Sequence, residues 1–418
     1  MPNPLMKFRA CKALALGAVV MVAAALLPPA LVSAAEKGQQ PSAKLAKPLH
    51  DAQEDIKAKK YNDAITKLKQ AEGIEGKTAY DQHVINEFLA FSYLNTQQYA
   101  DASKALETEV DDGFTPESEK PQMLRTIAEI NTQLKNYDKV IDYGSRALKA
   151  DPSNERMRTI VGQAYYLKGD YKGTLKFVEA GVDNEIKSGA TPKKDNLLLL
   201  YSSCQKLNDD TCSTHAMEKL VAYYPQPDYW SQLLYTVRSQ ASNNDDDLLQ
   251  TYRLMTEVDV LKTPGDYNEM AQLALEKGSP GEAQSVLEKG FQKNVFADKL
   301  TEDRNKRLLE NAKKAAANDQ ATLPNLQKEA DASSTGAKNV GVGIAYLGYG
   351  QYDKAADELS KGLTKGGVKD EAQARLLLGI AQLKSGHKDD AVKTFHAVKG
   401  DPNLERLANL WSLHAKQV

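Results

Sequence analysis

Apolar residues recur along this chain at helical spacing, as at Leu376, Ile380 and Leu383, and short polar turns break the stretches that carry them. The turns share a phrase: Lys60-Tyr61-Asn62-Asp63-Ala64, Gln98-Tyr99-Ala100-Asp101-Ala102, Asn136-Tyr137-Asp138-Lys139-Val140, Asp170-Tyr171-Lys172-Gly173-Thr174 and Gln351-Tyr352-Asp353-Lys354-Ala355, each a turn followed by a helix start. Two further copies, at 277–283 and 385–391, keep the turn glycine and the small residue and lose the tyrosine. Measured on the small residue of the second helix, the ladder falls at 64, 102, 140, 174, 213, 283, 355 and 391. Its intervals are 38, 38, 34, 39, 70, 72 and 36, and the two long ones are double steps. Further repeats are therefore predicted near Leu248 and near Ala321, giving about ten rungs.

Packing explains the residue types. Two helices that cross closely each need a small residue, as with Ala90 and Ala102, Gly162 and Thr174, or Gly379 and Ala391. A bulky side chain there costs about 1 to 3 kcal/mol by overpacking. The turn tyrosine fills the wedge between helices and keeps its hydroxyl near water. No pair buries enough surface alone, so stability is expected from neighbouring pairs.

This pattern resembles the tetratricopeptide repeat family, whose unit is a helix-turn-helix with large and small residues at set places. The best match is 121–154, with Ala128, Tyr137 and Ala147 at family positions and Asp151-Pro152-Ser153-Asn154 as the closing turn. The next, 155–188, has Gly162, Tyr165, Gly169 and Tyr171, and Trp230 falls near the place where the family favours tryptophan. The resemblance covers 45–403 and implies an all-α fold, a right-handed superhelical solenoid of about ten repeats. Repeats one to seven are expected over 48–297, a degenerate helix pair over 298–335, further repeats over 336–403, and a capping helix over 404–418 that buries Leu407, Leu410 and Trp411.

In the family, first helices line the concave face and partners lie along it. The matching positions here are Arg125, Glu129, Thr132 and Gln133, then Arg156, Thr159, Gln163 and Tyr166, then Ser202, Gln205 and Lys206, with Asn268 and Gln272 extending the row. Amides, hydroxyls and single charges of this kind hydrogen-bond a peptide backbone; the alternative is the solvated stripe of an amphipathic helix. Family members that grip a chaperone's C-terminal carboxylate use asparagines where Glu129 and Gln163 stand, so a chaperone clamp is not expected.

The start of the chain reads differently. Lys7, Arg9 and Lys12 precede an uncharged run at 13–27, and small residues end at Val32-Ser33-Ala34. That is the pattern of a secretory signal peptide over 1–34, cut between Ala34 and Ala35, with a bacterial periplasm as destination; an uncleaved anchor is the alternative. The stretch 35–47, with Pro41, Ser42 and the adjoining Pro48, reads as a disordered lead-in. Losing the leader moves the formal net charge from -2 to -5. Basic and acidic residues are interspersed with no basic stripe, which argues against nucleic acid, and no later stretch approaches the length of a membrane span.

Chemistry adds little. Cys204 and Cys212 flank a short turn between helices, and in an oxidising compartment a disulfide is expected, two buried free thiols being the alternative. His50, His83, His215, His387, His396 and His414 show no metal-ligand spacing, and no metal or cofactor is expected. The Asn- and Asp-rich loop 241–247 lacks the alternation of a calcium loop and reads as an acidic helix cap; it and the segment 291–335 are either binding elaborations or surface variation. No nucleophile motif or phosphate loop is present and no catalytic residue is assigned. The expectation is a non-enzymatic protein- or peptide-binding adaptor, with a glycan-binding solenoid as the alternative; sparse groove aromatics favour protein.

Overall fold

The computed structural model describes residues 40–418 apart from Ser242, and the leader expected over 1–34 lies outside them. The described residues form twenty α-helices and no strand. They divide into two compact units, one ending at Asn208 and one beginning at Asp209. The first holds α1 (Ala43–Lys57) and α2 (Tyr61–Glu72), α3 (Ala79–Asn95) and α4 (Tyr99–Val110), α5 (Lys120–Gln133) and α6 (Tyr137–Ala150), α7 (Glu155–Lys168) and α8 (Tyr171–Lys187), and α9 (Lys194–Lys206). The second holds α10 (Asp210–Tyr223), α11 (Pro227–Ala241) and α12 (Asp245–Glu257), α13 (Pro264–Glu276) and α14 (Pro280–Gln292), α15 (Lys299–Ala332), α16 (Ala337–Gly348) and α17 (Tyr352–Lys365), α18 (Glu371–Lys384) and α19 (Lys388–His396), and α20 (Pro402–Ala415).

The small-residue ladder has a structural meaning. Ala64, Ala102, Val140, Thr174, Ser213, Leu248, Ala283, Ala355 and Ala391 are each the fourth residue of a second helix. Before that helix the chain turns through one residue of positive φ: Lys59, Gln97, Lys135, Gly169, Asn208, Gly278, Gly350 and Gly386 in eight of the pairs. The next amide then reaches back to the end of the first helix, as from Lys60 to the Asp55 carbonyl at 2.8 Å, Gln98 to Tyr93 at 2.9 Å and His387 to Gln382 at 2.8 Å. This is the Schellman closure, which satisfies carbonyls that a helix end leaves open. Tyr61, Tyr99, Tyr137, Tyr171 and Tyr352 open the helix that follows, half-buried.

The close approach within a pair differs in one respect from expectation. The small residue of the first helix faces the eighth residue of the second, not its fourth. A Cβ added at Gly162 would lie 3.0 Å from Val178 Cγ2, at Gly343 2.7 Å from Leu359 Cγ, and at Gly379 2.5 Å from the Phe395 ring. The fifth rung puts Tyr201 where these residues stand, and the division between the units falls at its turn.

Two expectations are corrected. The lead-in is ordered from Ala43: Leu45 and Leu49 are fully buried, Ser42 donates its amide to Asp81 Oδ1 at 2.7 Å, and α1 runs through Pro48. Residues 298–335 hold one helix, α15, and not a helix pair; Ala321 lies exposed within it, because the Lys- and Ala-rich sequence supplies no turn. The acidic stretch is the helix cap expected of it: Asn244 accepts from the amides of Asp246 and Asp247 at the start of α12, and Asp247 is buried and accepts from Asn403 at 2.8 Å.

In the second unit α20 does more than cover an end. It packs on α18 and α19 and also on α10 and α12, so the unit's last helix meets its first ones. Leu404, Leu407, Leu410 and Trp411 are buried there, with Trp411 stacked on Phe395. Polar pairs close the same seam: Arg406 with Glu218 at 2.8 Å, Gln417 with the Val221 carbonyl at 2.8 Å, and Lys384 and His414 with Glu257.

Candidate partner-binding groove

In the first unit successive first helices touch, α1 with α3, α5 with α7 and α7 with α9, and no comparable contact joins successive second helices among the described residues. The first helices therefore form the tight, inner side of the stack. Counting from the small residue of each, Arg125 and Thr159 stand three positions before, Glu129 and Gln163 one after, and Thr132 and Tyr166 four after.

The structure joins several of these. Glu129 and Arg156 form an ion pair at 3.1 Å across two repeats. Arg125 donates to Gln122 Oε1 at 2.6 Å and lies 3.9 Å from Asp151. Burial raises the Glu129 carboxyl, against the lowering charges of Arg156 and Arg125. Thr132 and Thr159 donate to the carbonyls of Ala128 and Glu155, which leaves their oxygens as acceptors. Tyr166 meets Tyr171 edge to face at 5.3 Å. Gln163 is half-buried, while Gln133, Gln205 and Lys206 are exposed and Ser202 is half-buried.

The second unit is different. Gln272 is exposed, but Asn268 is buried and its amide donates to Asn305 of α15 at 2.8 Å. Asn268 is thus a brace for the long helix and not a member of an open row. Cys204 and Cys212 are disulfide-bonded, so neither is a thiolate. Among the described residues no cluster of His, Cys, Asp or Glu is placed to hold a metal, and no helix is long and apolar enough to cross a membrane.

One groove residue escapes the sequence reading. Glu87 of α3 stands three positions before Ala90, in register with Arg125 and Thr159. Burial, with the charge of Glu119, pushes its carboxyl up to about 7. Counting the register back one repeat was the signal that finds it.

These features define a class: an all-α repeat protein in which helix pairs joined by one kind of turn stack into a solenoid. The family model of the tetratricopeptide repeat matches residues 89–155 and 343–404. Those two stretches are tetratricopeptide repeats. Among solved structures it is similar to the C-terminal part of a repeat-containing protein of this family from Cytophaga hutchinsonii, at 16% identity over 64% of this chain and 93% of that one, with a TM-score of 0.29. A tetratricopeptide repeat protein from Parabacteroides merdae is 10% identical over 79% of this chain and 99% of its own, with a TM-score of 0.29. The TPR2AB domain of yeast Sti1, in its complex with pHSP90, is 14% identical over 72% of this chain and 100% of its own, with a TM-score of 0.25. No curated protein matches the sequence.

Proposed function

We propose that the protein is a non-enzymatic adaptor of the bacterial periplasm that binds a protein or peptide segment along the first-helix face of its first unit, serving envelope assembly, secretion or energy transduction. The tetratricopeptide repeats suggest a protein-interaction scaffold. The observation that carries the reading is the inner-face row from Arg125 to Tyr166, where charges, amides and an aromatic ring alternate over successive repeats. Such a row supplies hydrogen bonds to an extended backbone and apolar area to its side chains. Export rests on the leader pattern of residues 1–34.

Photocrosslinkers placed at Gln163 and Tyr166 in living cells test the groove: a specific protein caught from both positions is the expected result. Recovery of bound sugar and no protein would reverse the choice in favour of a glycan-binding solenoid. Sequencing the N-terminus of the mature chain tests export, with Ala35 as the expected first residue.

A further inference from the structure

The second repeat carries carboxylates that the groove reading leaves unused. Glu109, at the end of α4, is only 5% exposed, and its Oε2 is buried with no hydrogen-bond partner. Burial pushes its carboxyl well above the usual range, and the charges that add to this are all carboxylates: Glu87, Asp112 and Glu119. Glu87 is half-buried at the groove register and Glu119, just before α5, is exposed, so two members of the group reach solvent. Asp112 is already engaged by His83 at 2.8 Å, with Tyr80 and Phe114 packed around that ring. Lys120, which follows Glu119 in the chain, pairs with Glu117 instead.

An unpaired buried carboxylate oxygen is costly, and proteins ordinarily pair such groups. The buried, unpartnered oxygen of Glu109, with Glu87 and Glu119 near enough for their charges to act on it, lacks one thing, a cation with several donors. A lysine ammonium offers three hydrogens and an arginine a planar fork of five. We propose that Glu87, Glu109 and Glu119 form the receiving pocket for one basic side chain, lysine or arginine, of the segment bound along the first-helix face. The proposal rests on the groove reading and names the chemistry of the partner at one point along it. Entry of the cation drives protons off Glu87 and Glu109 into the solvent, because an opposite charge favours the ionised form.

The test uses a capped hexapeptide of alternating lysine and alanine, and its norleucine counterpart, titrated calorimetrically into the full mature chain in buffers of different ionisation heat. At about pH 7 the lysine peptide is expected to bind about tenfold or more tightly than the norleucine peptide, with proton release. The preference should shrink at about pH 5, where the carboxyls hold their protons. Glu87→Gln and Glu109→Gln, alone and together, should lower the lysine preference and the proton release; Glu310→Gln, an exposed carboxylate of the second unit, should change neither. Both glutamines are near-isosteric, and thermal unfolding checks that the variants stay folded. Equal affinity for the two peptides, failure of both to bind, or a preference that survives the double substitution overturns the pocket. Crosslinking at Gln163 and Tyr166 judges the groove separately, so the pocket can fail while the groove stands.

Discussion

At the scale of single residues, the turns inside the pairs carry a cost the sequence does not advertise. Lys59, Gln97 and Lys135 hold φ near 58° to 59°, where Gly169, Gly278, Gly350 and Gly386 hold the matching places. A side chain in that region costs about 1 to 2 kcal/mol relative to glycine. Lys135→Gly is therefore expected to stabilise the protein by up to about 1 kcal/mol, part of the gain being lost to the greater freedom of glycine when unfolded; a higher midpoint in urea unfolding is the check. Glu87 gives a pH-dependent case. Its folded carboxyl holds the proton up to about 7, above the unfolded value near 4.5, so stability falls as pH rises through that window. Glu87→Gln should add about 1 to 2 kcal/mol at pH 8, allowing for solvent screening, and little at pH 5, read from unfolding midpoints at the two values. The ladder residues were legible because their period is fixed by packing. Glu87 and Glu109 were not, because nothing local in the sequence reports that a carboxylate is buried without a partner.

At the scale of elements, the facing of a first-helix residue by the eighth residue of its partner explains why one of the two stays small. Gly379 lies against the fully buried Phe395, which in turn stacks on Trp411 and has no room to withdraw. Gly379→Ala should cost about 1 to 3 kcal/mol despite the better helix propensity of alanine, seen as a fall in the unfolding midpoint with the helix content kept. In the third pair Ala128 stands opposite Gly144 at an ordinary 3.8 Å, and the tight neighbours of that glycine are Val161 and Met157 of the next repeat. Periodicity revealed the paired helices but misread α15, because a rung was interpolated where no turn residue stands. Its buried residues, Leu309, Ala312, Ala316, Leu323 and Ala330, run down one side of a single helix that continues through Pro324. The first turn of α1 was read as lead-in for the opposite reason: Pro41 and Pro48 suggested a later start, yet burial of Leu45, Leu49, Ala52 and Ile56 outweighs the amide that Pro48 lacks.

At the scale of the whole molecule, the resemblance between the units ends at α20. Burial alone would raise the Glu257 carboxyl, but hydrogen bonds and charge from His414 and Lys384 hold it at about 2, below the ordinary 4.5. The stability it contributes is complete above pH 4.5 and is lost as pH falls toward 2. Glu257→Gln should therefore cost about 1 to 2 kcal/mol at neutral pH, allowing for solvent screening, and flatten the acid limb of the unfolding curve. Finding that wild type and variant lose stability in parallel below pH 4 would contradict the assignment.

The return of α20 to α10 and α12 has a consequence for how the chain can change over evolutionary time. An open array lengthens or shortens by whole repeats, because each contacts only its neighbours. The second unit has a seam tied by Arg406 and Glu218, 188 residues apart, and by Gln417 and Val221, 196 apart. Removing or inserting one helix pair between them would rotate the two edges out of register. Its repeat number is fixed by geometry, whereas no such seam ties the ends of the first unit among its described residues.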